Sequence, residues 1–167
     1  MKIYVASSWR NNRQPLVVIA LRKAGHEVYD FKHPKPGDNG FHWSEIDPEW
    51  QDWDSNSYIK ALSSPVAESG FNSDWDAMEW SELCVLVLPS GRSSHLEAGC
   101  YPAWGKKLII LLDDTQPMEP ELMYKMADFI TPNIDEMISA IKSMSVKPCK
   151  VCGYFTHNGD CVKCRPY

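Results

Sequence analysis

The chain has 167 residues, 44% of them hydrophobic and 23% charged, with a formal net charge of −5, which predicts one globular domain with a small appendage. This acidic balance argues against a nucleic-acid polymer as partner, because such a partner selects a basic stripe, whereas a small anionic ligand needs only a local site. The chain begins MKIYVASS, without a signal-peptide pattern, and no segment approaches the roughly 20 apolar residues of a membrane span, so we expect a cytoplasmic location.

The first 31 residues have the pattern of a strand, a helix and a second strand. Residues 2–6 form a short apolar run, which is typical of a buried strand. A helix with one buried face is predicted from five apolar residues: Leu16, Val17, Ile19, Ala20 and Leu21. Gly25 stands where a glycine commonly ends a helix, and residues 27–31 predict the second strand.

The middle of the chain predicts a loop followed by helical pieces. Residues 32–47 are rich in proline, glycine and polar residues, and Asp47-Pro48-Glu49 has the order of an N-cap, a first helical residue and an acidic first turn. Two or three helical pieces are expected up to residue 82, with breaks at Ser63-Ser64-Pro65 and near Gly70. The stretch 33–70 therefore forms a helical and loop insertion.

The remaining elements alternate between strands and helices. Residues 83–88 give the clearest strand, and Ser93 or Ser94 is expected to cap a helix that reaches about Trp104. A strand at 107–112, a helix at 119–126, a short strand at 128–130 and a helix at 132–144 complete the domain. Strands that read as continuous apolar runs between helices predict a doubly wound, flavodoxin-like or Rossmann-like α/β fold over residues 1–144, with five parallel strands in the order 2-1-3-4-5.

Ligands of such sheets bind at the carboxyl edge where the strand order reverses, here between strands one and three. The loops that meet there are Ser7-Ser8-Trp9-Arg10-Asn11 and residues 89–97. Glu97 follows Ser94 by three residues, so the pair either forms a capping box or leaves Glu97 free to act as a nucleophile or acid–base group.

Asp74 and Asp76 lie two helical turns before strand three, on a helix expected to return them to the same edge of the sheet. Two carboxyl groups facing one pocket are what glycosidic cleavage requires. The competing interpretation is that these aspartates are helix caps or surface charge.

Four segments in order resemble the nucleoside 2-deoxyribosyltransferase superfamily, which includes the 2′-deoxynucleoside 5′-phosphate N-hydrolases. They are KIYVASSWRN, the DWD before strand three, S-x-x-E-x-G at 94–99, and GKKLII at 105–110. The resemblance spans about residues 1–142. It implies a compact parallel α/β fold, usually dimeric, in which a glutamate attacks C1′ of the sugar and displaces the base without a metal or organic cofactor.

The resemblance also implies roles for individual residues. Glu97 matches the nucleophile, and Asp76 matches the aspartate that handles the base proton, with Asp74 a close second. The ligand-contacting positions of the sugar and its 5′ side are matched by Tyr4, Ser7, Ser8, Arg10, Ser93 and Ser94. Glu121 matches a residue that reaches across from the neighbouring subunit toward the 5′ end of the ligand. A carboxylate there would repel a phosphate, whereas Arg10 and Arg92 favour one, so the sequence leaves both a 5′-hydroxyl and a 5′-phosphate as alternatives.

Two features of the site segments have alternative interpretations. Trp43 and its aromatic neighbours in 41–53 predict either a lid that stacks on a base or ordinary domain packing. His95 either orients Glu97 or packs and caps locally.

The last 19 residues contain two C-x2-C pairs, and the four cysteines are Cys149, Cys152, Cys161 and Cys164. Paired C-x2-C turns supply four thiolates for tetrahedral zinc, and Asn158-Gly159 predicts a hairpin between them, so residues 149–164 are predicted to form a small zinc ribbon. With four protein ligands the zinc would be structural. Disulfides are the alternative.

The sequence thus favours an enzyme that cleaves the N-glycosidic bond of a nucleoside or nucleoside 5′-monophosphate, as hydrolase or transferase. The alternatives are a binding module that holds a nucleotide without turnover, and an NAD-type glycohydrolase.

Overall fold

The protein forms a five-stranded parallel sheet with helices on both faces. The computed structural model describes residues 1–115 and 120–144, and the zinc-ribbon prediction for residues 149–164 lies outside them. The elements are β1 (Lys2–Ala6), α1 (Gln14–Lys23), β2 (Glu27–Tyr29), α2 (Ser55–Leu62), α3 (Pro65–Trp80), β3 (Leu83–Val87), α4 (Arg92–Ala103), β4 (Lys107–Leu111), β5 (Phe129–Thr131) and α5 (Ile134–Met144). Within the described ranges, 3-10 helices cover Trp43–Glu45, Trp50–Asp52 and Leu122–Met126.

The strand order is β2-β1-β3-β4-β5, and all four pairings are parallel, so the predicted fold and strand order are confirmed. Alternate side chains of the central strands enter two separate cores. Ile3 and Val5 join the core under α1 and α5, whereas Tyr4 and Ala6 join the core under α3 and α4. This alternation places Tyr4 on the sheet face covered by α3 and α4.

The predicted buried face of α1 is partly wrong. Leu16 and Ile19 are 59% and 49% exposed, and the buried residues include Gln14, Val17 and Leu21. Gln14 belongs to the buried stripe because its side-chain amide donates to Asp30 at 2.7 Å. Gly25 does follow the helix in a left-handed conformation, with φ of 87°, as its position predicted.

The insertion also differs from its prediction. No α-helix begins at Asp47: its carboxylate accepts from the Glu49 backbone and from the Trp53 indole at 2.6 Å, which holds a turn, and the first α-helix of the region starts at Ser55 with Asp54 as its cap. The predicted break at Ser63-Ser64-Pro65 is confirmed, since Ser64 caps α3 and Pro65 begins it.

Gly70 does not interrupt α3, which continues from Pro65 to Trp80. A Cβ at position 70 would lie 2.8 Å from the Cβ of Phe41. The glycine therefore marks the place where the insertion packs directly on the helix backbone.

None of the helices in the described part of the chain combines the length and the apolar character that a membrane crossing requires.

Candidate active site

Polar side chains join the loops that follow β1 and β3. The Ser7 hydroxyl donates to the Val87 carbonyl at 2.8 Å, and the Asn11 amide donates to the carbonyls of Val87 and Pro89. The Ser94 hydroxyl donates to the Ser7 carbonyl at 2.8 Å. These contacts fix the two loops at the sheet edge where strand order reverses.

Glu97 lies on α4 above this edge and does not form the capping box, which was one of the two interpretations of its spacing from Ser94. The N-cap residue of the helix is Gly91, which has no side chain that could cap it, and Ser94 is the third helical residue, whose hydroxyl donates to the β1 loop. Glu97 is instead directed toward the sheet, where it interacts with the Tyr4 hydroxyl and where its charge reaches the buried Cys84 thiol.

The surroundings of Glu97 favour its neutral form. Burial and, to a smaller extent, the charge of Asp74 raise the pKa of Glu97 from 4.5 to about 7, and the Tyr4 hydroxyl acts in the opposite direction. Burial likewise raises the pKa of Tyr4, and the charges of Glu97 and Asp74 add to that effect. Glu97 can therefore change protonation state near neutral pH.

Asp74 is held beside Glu97 by a tyrosine from the edge strand. The Tyr29 hydroxyl donates to Asp74 Oδ1 at 2.8 Å, and its oxygen lies 3.1 Å from the Ser73 hydroxyl. Burial raises the pKa of Asp74, and the hydrogen bond from Tyr29 lowers it. The Tyr29 ring stacks on Tyr4 with 5.4 Å between ring centroids, so one pair of tyrosines contacts both carboxyl groups.

Asp76 and Asp74 have different surroundings, although both line the same surface cleft. Asp76 is exposed, and the negative charge that raises the pKa of Glu97 is that of Asp74. The structure thus brings together Glu97, Asp74 and Tyr4 from the predicted set and leaves Asp76 at the solvent side of α3.

The predicted ligand-contacting residues fall into two groups. Ser7 and Ser94 are buried, and their hydroxyl protons are used within the protein. Arg10 and Ser93 are exposed, and the half-buried Ser8 hydroxyl accepts from the Arg10 backbone at 3.2 Å.

Trp43 lies in an aromatic cluster. Its ring makes edge contacts with Phe41, Trp53 and Tyr58, at centroid distances of 4.7, 5.7 and 5.8 Å. Of the two interpretations of these aromatics, the contacts of Trp43 correspond to domain packing.

Glu121 and His95 belong to a contact between α4 and the Leu122–Met126 segment. Glu121 is exposed and precedes that segment, whose Tyr124 hydroxyl lies 2.9 Å from His95 Nε2. His95 Nδ1 donates to the Gly91 carbonyl at 2.8 Å. Both ring nitrogens of His95 are therefore engaged away from Glu97, which favours the packing interpretation.

Tyr29 is the site residue that the sequence prediction missed. It is the register partner of Tyr4 on the neighbouring strand, and register partners in a parallel sheet project from the same face. The sequence does show a tyrosine in the β2 segment, but assigning it to the site requires knowing which residue of β1 it pairs with.

The described residues contain no group of three or more histidine, cysteine, aspartate or glutamate side chains placed to hold a metal ion. The four cysteines of the predicted zinc ribbon lie outside those residues, and their metal binding stays a prediction.

Comparison with known proteins gives a structural likeness only. No family model matches the chain, and no curated protein matches its sequence. Among solved structures, a 2-deoxyribosyltransferase from the psychrotolerant bacterium Bacillus psychrosaccharolyticus matches with a TM-score of 0.50 and 18% identity, over 83% of this chain and 90% of that one. A CMP N-glycosidase from Clostridium botulinum matches with a TM-score of 0.47 and 17% identity, over 84% of this chain and 98% of that one. The chain thus shares a fold with the first of these enzymes.

Proposed function

We propose that the chain cleaves the N-glycosidic bond of a nucleoside or nucleoside 5′-monophosphate, with Glu97 as the nucleophile. The observation that carries the proposal is the desolvated Glu97 carboxyl beside Asp74, above the sheet edge at which doubly wound folds bind their ligands. The shared fold of a 2-deoxyribosyltransferase supports the same assignment.

The two carboxyl groups divide the chemistry between them. Ionised Glu97 attacks C1′ of the sugar, the C1′–N bond breaks, and the base leaves with a proton from Asp74. The glycosyl ester on Glu97 is then attacked at C1′ by water, which gives its proton to Asp74, or by a second base. The first acceptor gives hydrolysis and the second gives transfer.

The two roles require that Glu97 and Asp74 together carry one proton. Each carboxyl is shifted toward its neutral form by burial, and the charge of Asp74 further disfavours ionisation of Glu97. The pair therefore passes through a state with a single negative charge, and the reactive form of that state is the one in which Glu97 carries the charge and Asp74 carries the proton. We assign the proton-handling role to Asp74, because its charge reaches Glu97 and the exposed Asp76 lies farther out on the helix.

The loops after β1 and β3 would hold the sugar and its 5′ side. Ser8, Arg10, Arg92 and Ser93 lie on these loops or in the first turn of α4, where main-chain amides and two guanidinium groups favour oxygen-rich or anionic groups.

The test is a panel of ribonucleosides, deoxyribonucleosides, their 5′-monophosphates and NAD, with free base measured by chromatography. We expect base release by the wild-type chain and loss of at least about 10³-fold in rate for Glu97→Ala, since the ester can no longer form. Glu27→Gln, an exposed carboxylate at the amino end of β2, is the matched control and should retain full activity.

Mass spectrometry of acid-quenched reactions provides a second readout, because the glycosyl ester adds the mass of the sugar to the peptide that contains Glu97. Tight binding of a panel member without base release would instead establish the binding-module alternative. Equal base release by wild type and Glu97→Ala would contradict the proposal.

A further inference from the structure

An open cleft of about 770 Å³ adjoins the candidate active site. It lies between the segment that follows β2 and the first turns of α3, and Tyr29 and Asp74 are part of its lining. Phe31 and Phe41 contribute aromatic walls, and Gly70 allows Phe41 to approach the helix backbone closely. The dimensions and the aromatic walls suit a flat heterocyclic base.

The charge of the cleft is strongly unbalanced. Five carboxyl side chains line it, against the single lysine Lys35, and they are Asp38, Glu45, Glu68, Asp74 and Asp76. Within the described ranges 1–115 and 120–144, the salt bridges are those of Asp30 with His33 and of Asp128 with Lys107, so none of the five is neutralised there by an ion pair. The cleft therefore presents a negative potential to any ligand.

The position of the cleft next to Asp74 indicates which part of a bound nucleoside, the base or the 5′ side, would face it. Asp74 and Tyr29 belong to its lining and also reach the surroundings of Glu97, since the charge of Asp74 acts on Glu97 and the Tyr29 ring stacks on Tyr4. The loops that carry Arg10 and Arg92 follow β1 and β3. A sugar bound at Glu97 would therefore adjoin the acidic cleft through Asp74 and the loops with the two arginines through the carboxyl edge of the sheet. The base belongs on the acidic side, because a 5′-phosphate would be repelled there.

We propose that this cleft holds the departing base and selects bases that carry an exocyclic amino group beside a basic ring nitrogen. The proposal rests on the proposed function and specifies its substrate class. Amino N–H groups donate to carboxylates, and a surrounding negative charge favours the protonated base that leaves when the C1′–N bond breaks. Bases that present carbonyl oxygens at the same position would place acceptor against acceptor.

Matched nucleoside pairs test the selection. The pairs are adenosine with inosine and cytidine with uridine, each in ribo and deoxyribo form, and kcat/KM is measured for each with the full chain. We expect the amino member of the cleaved pairs to be favoured by about tenfold or more, the range that charge-assisted hydrogen bonds supply. The preference should fall as ionic strength rises, because Asp38, Glu45 and Glu68 are exposed.

Variants of the cleft identify the source of the preference. Glu68→Gln keeps the shape of an exposed side chain and removes one charge from the lining, so it should reduce the amino-over-oxo ratio about threefold, as expected for a solvent-exposed charge. Glu27→Gln removes the same charge at the amino end of β2, outside the lining of the cleft, and should leave the ratio unchanged. Thermal unfolding of both variants verifies that the fold is intact.

Binding to Glu97→Gln, measured by calorimetry, separates this proposal from the proposed function. Preferential binding of amino-substituted nucleosides without any cleavage by wild type would support the cleft assignment and refute the enzymatic proposal. Cleavage with no amino preference, or a preference that Glu68→Gln leaves unchanged, would overturn the cleft assignment alone. If nothing is bound or cleaved, both proposals fail.

Discussion

The Glu97 carboxyl is surrounded by groups that disfavour its ionised form, namely the apolar sheet face and the second carboxyl Asp74. A rise in pKa from 4.5 to about 7 corresponds to about 3 kcal/mol of lost stability when the group is fully ionised. Below its unfolded pKa the group is neutral in both states and the penalty vanishes. As the pH rises through 7 the penalty reaches its full size.

Glu97→Gln should therefore stabilise the protein in a pH-dependent way. Above pH 7 we expect a gain of about 1–3 kcal/mol over wild type, because the neutral amide avoids the buried charge, and a gain near zero at pH 4. Urea unfolding at a series of pH values measures the difference. A difference that is constant with pH would show that the Glu97 charge is not the source.

Asp74→Asn should lower the pKa of Glu97. The charge of Asp74 raises that pKa, so its removal leaves burial as the upward influence and shifts the ionisation to lower pH. Because Asp74 is also the proposed proton donor, the variant should be slow, and the acidic limb of its residual kcat/KM profile, which reports the Glu97 ionisation, should move down from about pH 7. Asp76→Asn is the comparison variant, and an equal displacement in both would remove the distinction drawn between the two aspartates.

At the residue scale, the sequence and the family resemblance together singled out Glu97, Asp74 and Tyr4, and the structure places these three close enough to influence one another. Their roles in catalysis stay predictions. Tyr29 was missed because its relation to Tyr4 depends on a strand pairing 25 residues away in the chain. The preference for Asp76 over Asp74 depended on helix phase, which spacing alone did not determine.

At the scale of elements, Gly70 connects the insertion to α3. Gly70→Ala adds helix propensity, but its Cβ would lie 2.8 Å from Phe41. We expect a net loss of about 1–3 kcal/mol, since overpacking outweighs propensity. Gly99→Ala in α4 is the matched control: no atom lies within 4 Å of its Cβ position, so it should stabilise by about 0.5–1 kcal/mol. Chemical denaturation of both variants measures these changes.

The strands were predictable because burial on both faces leaves a continuous apolar run, and each observed strand overlaps its predicted one. The insertion was less predictable. Asp47 has the residue type of a helix N-cap, yet its carboxylate is engaged by Glu49 and the Trp53 indole instead. Likewise Ser94 resembled a cap and is used for the Ser7 carbonyl. Helix capping was thus displaced by a turn within the same loop at Asp47 and by a long-range contact at Ser94.

At the scale of the whole molecule, exposed apolar side chains favour self-association. Leu96 is 76% exposed and Leu122 is 77% exposed, on two elements joined by the contact between His95 and Tyr124. We expect a homodimer in sedimentation experiments, and Leu122→Asp should shift it toward monomer, because a charge opposes burial of that side chain. Leu16→Asp, 59% exposed on α1, is the control. A wild-type monomer at all concentrations would contradict this expectation.

The predicted zinc ribbon and the α/β domain should respond independently to metal removal. Four thiolates in two C-x2-C pairs would bind one zinc ion in a closed tetrahedral site, whereas the chemistry proposed for Glu97 and Asp74 uses no metal. A strong chelator should therefore release one zinc per chain, measured with a colorimetric reagent, without changing base release. Cys161→Ser should abolish zinc binding, and Cys100→Ser, a half-buried cysteine of α4, should retain it. A purified chain without zinc and with fewer titratable thiols than its six cysteines would favour disulfides instead.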